Sequence, residues 1–198
     1  MEILVDVMHT NDVTFLTSVS KEIHYRTILA VDNLEVETLE RGLKNVVRAY
    51  SIRDFHVILI LVDIQFKVLK DRNKVGMPIN TVSKGEHVTK MERFHRVVEE
   101  RARCYYTMLP FDYLPRIMVI HLMITICFYV NAFVWLKGIS QVLPPITIVE
   151  GIVLDYNLHF RVIFGEFIQT YEGTKNDMSK RTIDAIALEP ASNMQGGI

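Results

Sequence analysis

Phe55-His56-Val57-Ile58-Leu59-Ile60-Leu61-Val62-Asp63-Ile64-Gln65-Phe66 is the stretch on which the fold turns. From Phe55 to Val62 the run is apolar on both alternating faces, the pattern of a strand covered by helices above and below and reached by a crossover connection. It then stops on a carboxylate, Asp63. A buried central strand that ends on an acid has two ordinary explanations. Asp63 is either the first solvent-facing residue of a loop, or a functional group presented at the carboxyl end of the strand.

Upstream, residues 2–8 (EILVDVM) and 13–19 (VTFLTSV) are short apolar runs separated by Thr10-Asn11-Asp12, and 25–31 (YRTILAV) follows. These predict an antiparallel meander of three strands. From Asn33, a candidate N-cap, Leu39, Leu43, Val46, Val47 and Tyr50 fall at helical spacing, so an amphipathic helix leads into the central strand. Downstream come a weak strand over 77–82 and a long helix over 87–107, with Val88, Met91, His95, Val98, Ala102 and Tyr105 on one stripe. A second, almost wholly apolar helix opens at Pro115 and is expected to end near Gly138. Pro144-Pro145 reads as a linker, and strand patterns at 160–171 and 181–188 follow, with Gly165 at a bend. The expected organisation is an α/β domain over residues 1–145 and a small β-rich C-terminal extension over 146–198, itself cut short.

Composition narrows the function classes. With 22 basic and 23 acidic residues the chain advertises no global attraction to a polyanion, so nucleic-acid contacts must come from local patches. Cys104 and Cys127 make neither a disulfide framework nor a CxxC zinc motif, which points to a reducing compartment. The first residues, MEILVDVMHTND, lack the basic and small-residue features of a secretory signal. Residues 117–136 carry no formal charge and are long enough for a membrane span, but His121 and Asn131 interrupt them, and a buried helix is the preferred reading. His9, His24, His56, His87, His121 and His159 show no metal-ligand spacing, and Trp135 reads as a core residue.

Three acids can converge. Asp6 lies in the first strand, Asp63 ends the central strand, and Glu92 sits beside Met91 on the long helix. If the two strands are neighbours, about 4.8 Å apart, both aspartates meet at one site, and Glu92 approaches from a helix laid on the sheet. Carboxylates so placed repel one another unless a cation compensates them; hard oxygen donors suit Mg²⁺ or Mn²⁺, and a pair of such ions is the clamp of phosphodiester displacement. Against this stands the ordinary reading of a turn-forming Asp63 and a solvated helix face bearing Glu92, Arg93 and Arg96.

The order of segments resembles the integrase core of copia-type retrotransposons, within the retroviral-integrase and RNase H-like superfamily. The resemblance is carried by DVMHTNDVTFLTSVS, LVDIQF, EHVTKMERFHRVVEERAR, YVNAFVWLKGISQVLPPITIVEG, LDYNLHFRVIFGEFIQTYE and RTIDAIALEPASNMQGG, in that order. It implies an RNase H-like mixed five-stranded sheet with flanking helices, followed by a small β module. It implies Asp6, Asp63 and Glu92 as catalytic metal ligands for Mg²⁺ or Mn²⁺, with Glu86 as a competing third acid. Lys90, Arg93 and Arg96 are then expected to meet DNA, and a homo-oligomer and a nuclear setting are implied with them. The activity implied is cleavage and strand transfer of DNA ends. The alternatives are a relic that keeps the fold without the chemistry and, third, a single-span membrane protein. Ile64 and Gln65 depart from the small or polar residues that usually follow the second aspartate, and Phe94 and His95 replace polar positions of the family helix.

Overall fold

The computed structural model describes residues 1–63, 66–72, 75–81, 88–171, 178 and 180–190. Strands β1 (Glu2–Thr10), β2 (Val13–Ser20) and β3 (Arg26–Val31) form the expected meander. Asn11 and Asp12 take left-handed φ values of 46° and 59° at the β1–β2 hairpin, the conformation a two-residue loop needs to match the twist of its strands. Helix α1 (Val36–Tyr50) crosses back to β4 (Leu59–Val62), which lies parallel to β1, and β5 (Ile79–Thr81) pairs parallel to β4. The order β3-β2-β1-β4-β5 makes the mixed five-stranded sheet anticipated from the sequence. A short helix α2 (Lys67–Arg72) links β4 to β5.

The sheet is buried on both faces. Ile3, Val5, Leu16, Ile60 and Val62 pack with Leu39, Leu43, Val46 and Tyr50 of α1. Leu4, Met8, Phe15, Val19 and Leu61 pack with α3 (Val88–Met108) and α4 (Arg116–Ala132). Strand alternation accounts for this division, since successive side chains go to opposite faces. Each fully buried Ile, Leu or Phe contributes about 1.5–3 kcal/mol relative to exposure.

Several elements differ in extent from the sequence reading. The central strand starts at Leu59 rather than Phe55: Glu2↔Leu59 is its first paired position with β1, and Ile58 faces solvent. Helix α1 begins at Val36, with Glu35 in the capping position and no side-chain cap; Asn33 instead accepts the Glu35 amide at 3.1 Å, a turn just ahead of the helix. Helix α4 ends at Ala132, six residues short of Gly138, because Phe133 turns extended and stacks with Tyr156 and Phe160, while the Tyr156 hydroxyl donates to the Ala132 carbonyl. Pro144 precedes a short helix α5 (Pro145–Glu150), whose Val149 is wholly buried in the α1-side core and whose Glu150 accepts from the Tyr25 hydroxyl.

Asn131 and Thr125 of the apolar helix have hydrogen-bond partners, whereas His121 Nδ1 and the nearby Glu189 Oε2 are buried without one. Asn131 accepts the Arg26 amide at 2.9 Å and donates to the Arg26 carbonyl at 2.7 Å, pairing the outer edge of β3 as a further strand would. Thr125 donates to the Leu188 carbonyl, and His121 lies 3.2 Å from the Glu189 carboxylate. Cys127 is buried beside them, and burial pushes its thiol up to about 12, which makes it an inert core residue. Among the described residues no helix is long and apolar enough to cross a membrane.

After α6 (Tyr156–His159) the chain runs irregularly through Phe164, which is buried against the α3/α4 face, before β6 (Phe167–Tyr171) pairs antiparallel with β7 (Thr182–Ile186). The expected strand from Phe160 is delayed by Gly165, where φ is 83° and an added Cβ would stand 2.1 Å from Leu109. Only glycine fits both the backbone and the space there.

Candidate active site

The site is built by register. Leu4 pairs with Leu61 and Val5 with Val62 across parallel β1 and β4, so the next residue on each strand is an aspartate, Asp6 and Asp63. Leu4, Met8 and Leu61 belong to the α3/α4 face, and alternation puts Asp6 on that same face. Asp63, one residue past the last paired position, is exposed at the carboxyl end of β4, and its carbonyl accepts the Phe66 amide at 3.0 Å. Neighbouring strands lie about 4.8 Å apart, so the two aspartates stand side by side.

Asp6 is held firmly. Its Oδ1 accepts the Val7 amide at 2.8 Å and its carbonyl accepts the Thr17 hydroxyl at 3.0 Å. Thr17 is the cross-strand partner of Asp6 on β2 and is completely buried. The same hydroxyl lies 2.8 Å from Nε2 of His95 on α3. A continuous chain therefore runs from α3 through Thr17 to the backbone of Asp6.

Helix α3 lies on the sheet through Met91, Phe94, Val98 and Ala102. At about 100° per residue its two flanks differ in character. His95, Glu99 and Glu92 lie on one flank, and Phe94, Lys90 and Arg101 on the other. Phe94 meets Arg26 of β3, whereas His95 reaches β2 beside Asp6. The Glu92 flank therefore looks across β1 toward β4, the side on which the aspartates stand. His95 senses this arrangement: burial holds its pKa below the ordinary 6.5, opposed by the carboxylates of Asp6, Glu99 and Glu92. Burial thus favours the uncharged imidazole, and the nearby carboxylates favour the charged one.

Among the described residues, no three His, Cys, Asp or Glu side chains gather into a group able to hold a metal ion. The structure thus brings Asp6 and Asp63 into adjacent register and sets Glu92 on the flank above, without closing them into a ligand cluster. Glu86, Ile64 and Gln65 lie outside the described residues. Lys90, Arg93 and Arg96 are all exposed on α3, with Arg96 paired to Glu100 at 3.3 Å.

Thr17 and His95 were not singled out as site residues from sequence. The signal was present in two polar side chains on stripes that are otherwise apolar. Strand pairing sets Thr17 opposite Asp6, and His95 follows Glu92 by three positions, so both belong to the same side of their elements.

No family model matches the chain, and no curated protein matches it. Among solved structures, the catalytic core domain of BIV integrase is similar, with a TM-score of 0.53 at 14% sequence identity, over 75% of this chain and 92% of that one. The likeness extends over most of the chain, and the fold is that of a retroviral-integrase catalytic core, the RNase H-like mixed sheet with flanking helices.

Proposed function

We propose that the chain is an integrase-type polynucleotidyl transferase that cuts and joins DNA ends, with Asp6, Asp63 and Glu92 as its acidic residues. The observation that carries the reading is the adjacent register of Asp6, within β1, and Asp63, at the carboxyl end of the parallel β4, beneath the acidic flank of α3. The donor chemistry fits Mg²⁺ or Mn²⁺, hard cations that take carboxylate oxygens and keep part of their water. Asp6 and Asp63, with Glu92 completing the set, are the residues that would hold such ions. Held by these residues, such an ion would supply activation of the attacking oxygen and charge neutralisation on the phosphate.

The remaining roles belong to the protein. The Thr17 and His95 chain fixes the backbone of Asp6, so its carboxylate does not swing away when a phosphate approaches. Exposed Arg93 and Arg96, with Lys90, supply positive charge for DNA phosphates along α3. A homo-oligomer and a nuclear setting belong to the same reading and rest on the family likeness.

One observation favours a second reading, a non-catalytic domain that keeps the fold: no three ligands gather among the described residues. The two readings separate in one assay. Purified protein with Mn²⁺ and a duplex oligonucleotide is expected to nick or join DNA, and Asp63→Asn to reduce the rate at least a hundredfold. Equal product from both proteins, or none from either with DNA still bound, would favour the non-catalytic domain.

A further inference from the structure

The flank of α3 opposite the acids holds an uncompensated cation. Arg26 is 7% exposed, yet its Nη1 is buried without a hydrogen-bond partner, and it makes no salt bridge among the described residues. Its backbone is locked by Asn131, so the side chain is committed to this position. The guanidinium lies between two rings, 5.7 Å from the centroid of Phe94 and 5.1 Å from that of Trp135. Ring faces offset only part of what a guanidinium loses on leaving water.

Further basic side chains lie near it. His24, in a left-handed conformation with φ of 60°, packs its ring 5.5 Å from Trp135. Its pKa is lowered by burial and by the nearby charges of Arg26 and Lys90, against a smaller opposing effect of Glu22. Burial also lowers that of Arg26, opposed by Cys127 and Tyr50, with Arg101 adding a smaller repulsion. Lys90 and Arg101 are exposed and make no salt bridge among the described residues. By contrast, on the acidic flank Arg103 is paired with Glu99 at 3.2 Å.

We propose that Lys90 and Arg101, exposed on the flank of α3 that covers the buried Arg26, form a binding surface for the phosphodiester backbone of nucleic acid. Lys90 and Arg101 stand roughly 16 Å apart along the helix at 1.5 Å per residue. A single phosphate cannot reach both, whereas a nucleic-acid strand places one charge about every 3.4 Å. The choice of nucleic acid among polyanions rests on the function proposed above; the uncompensated charge does not. The surface would hold a stretch of strand on the side of α3 away from the acids, so that α3 separates the phosphate being held from the one being cut.

Trp135 is the only tryptophan, so its fluorescence reports directly on this surface. The full chain is titrated with a fluorescein-labelled duplex oligonucleotide in metal-free buffer, following anisotropy and Trp135 emission across a salt series. Binding is expected to change Trp135 emission. Lys90→Ala and Arg101→Ala should each lower the slope of log affinity against log salt by about 1, while Arg103→Ala leaves it unchanged. Slopes equal to wild type in both variants, or an identical emission change with inorganic phosphate at the same concentration, would overturn the proposal. Because no metal is present, failed catalysis leaves this result untouched; nicking that persists with wild-type slopes in both variants would remove this surface and spare the active site.

Discussion

Asn131 carries an amide into the buried last turn of an apolar helix, where an unpaired polar group is costly. It answers both backbone groups of Arg26. Asn131→Ala leaves that amide unpaired in a buried site, at about 1–3 kcal/mol, and leaves the carbonyl only the weak Cys127 thiol donor at 3.5 Å. A clear fall in the urea midpoint, with unchanged slope, is the expected outcome. His95 acts through protonation. Its folded pKa lies below the ordinary 6.5 of the unfolded chain, with burial the main cause. Between the two values the unfolded chain binds more protons than the folded one. Stability is therefore fully kept above about pH 6.5 and lost as pH falls through that window. His95→Gln, which keeps a polar group toward Thr17, should show a smaller loss of thermal midpoint between pH 7.5 and 5.5 than wild type. An equal loss in both would mean that another group titrates there.

Helix α1 meets the sheet at Gly42, where an added Cβ would sit 2.7 Å from Leu16 Cδ2. Gly42→Ala gains about 1 kcal/mol of helix propensity. It also forces a wholly buried Leu16 to move, at about 1–3 kcal/mol. A net loss of stability by chemical denaturation is expected, and a gain would show that Leu16 repacks freely. The elements that position this helix were legible in sequence because their periods are strong: the meander, α1, the start of α4 and the core of β4 all follow from alternation or helical spacing. Ends were less legible. Where α4 stops depends on Phe133 stacking against Tyr156 and Phe160, residues distant in sequence, and the delay of β6 depends on Gly165 closing against Leu109. Long-range packing set these boundaries, and local composition carries little trace of it.

At the scale of the molecule, the sheet order β3-β2-β1-β4-β5 converts two acids far apart in sequence into neighbours, and the same order lays α3 across them. Asp6 and Asp63 could be named from sequence because each lies on a strand whose pairing the pattern suggests. The partners of Asp6 could not, since Thr17 and His95 become neighbours only when α3 settles on the sheet. The two flanks of α3 differ in charge, with His95, Glu99 and Glu92 on one and Lys90 and Arg101 on the other, and the two proposals assign chemistry to the first and substrate holding to the second. The most direct test of the acidic side is Mn²⁺ titration followed by amide NMR, because paramagnetic broadening marks whatever lies close to the bound ion. The expected result is saturable loss of signal centred on Val7, Asp63 and Glu92, abolished by Asp63→Asn. Broadening centred elsewhere, or none at millimolar Mn²⁺, would contradict a metal-dependent site at these residues.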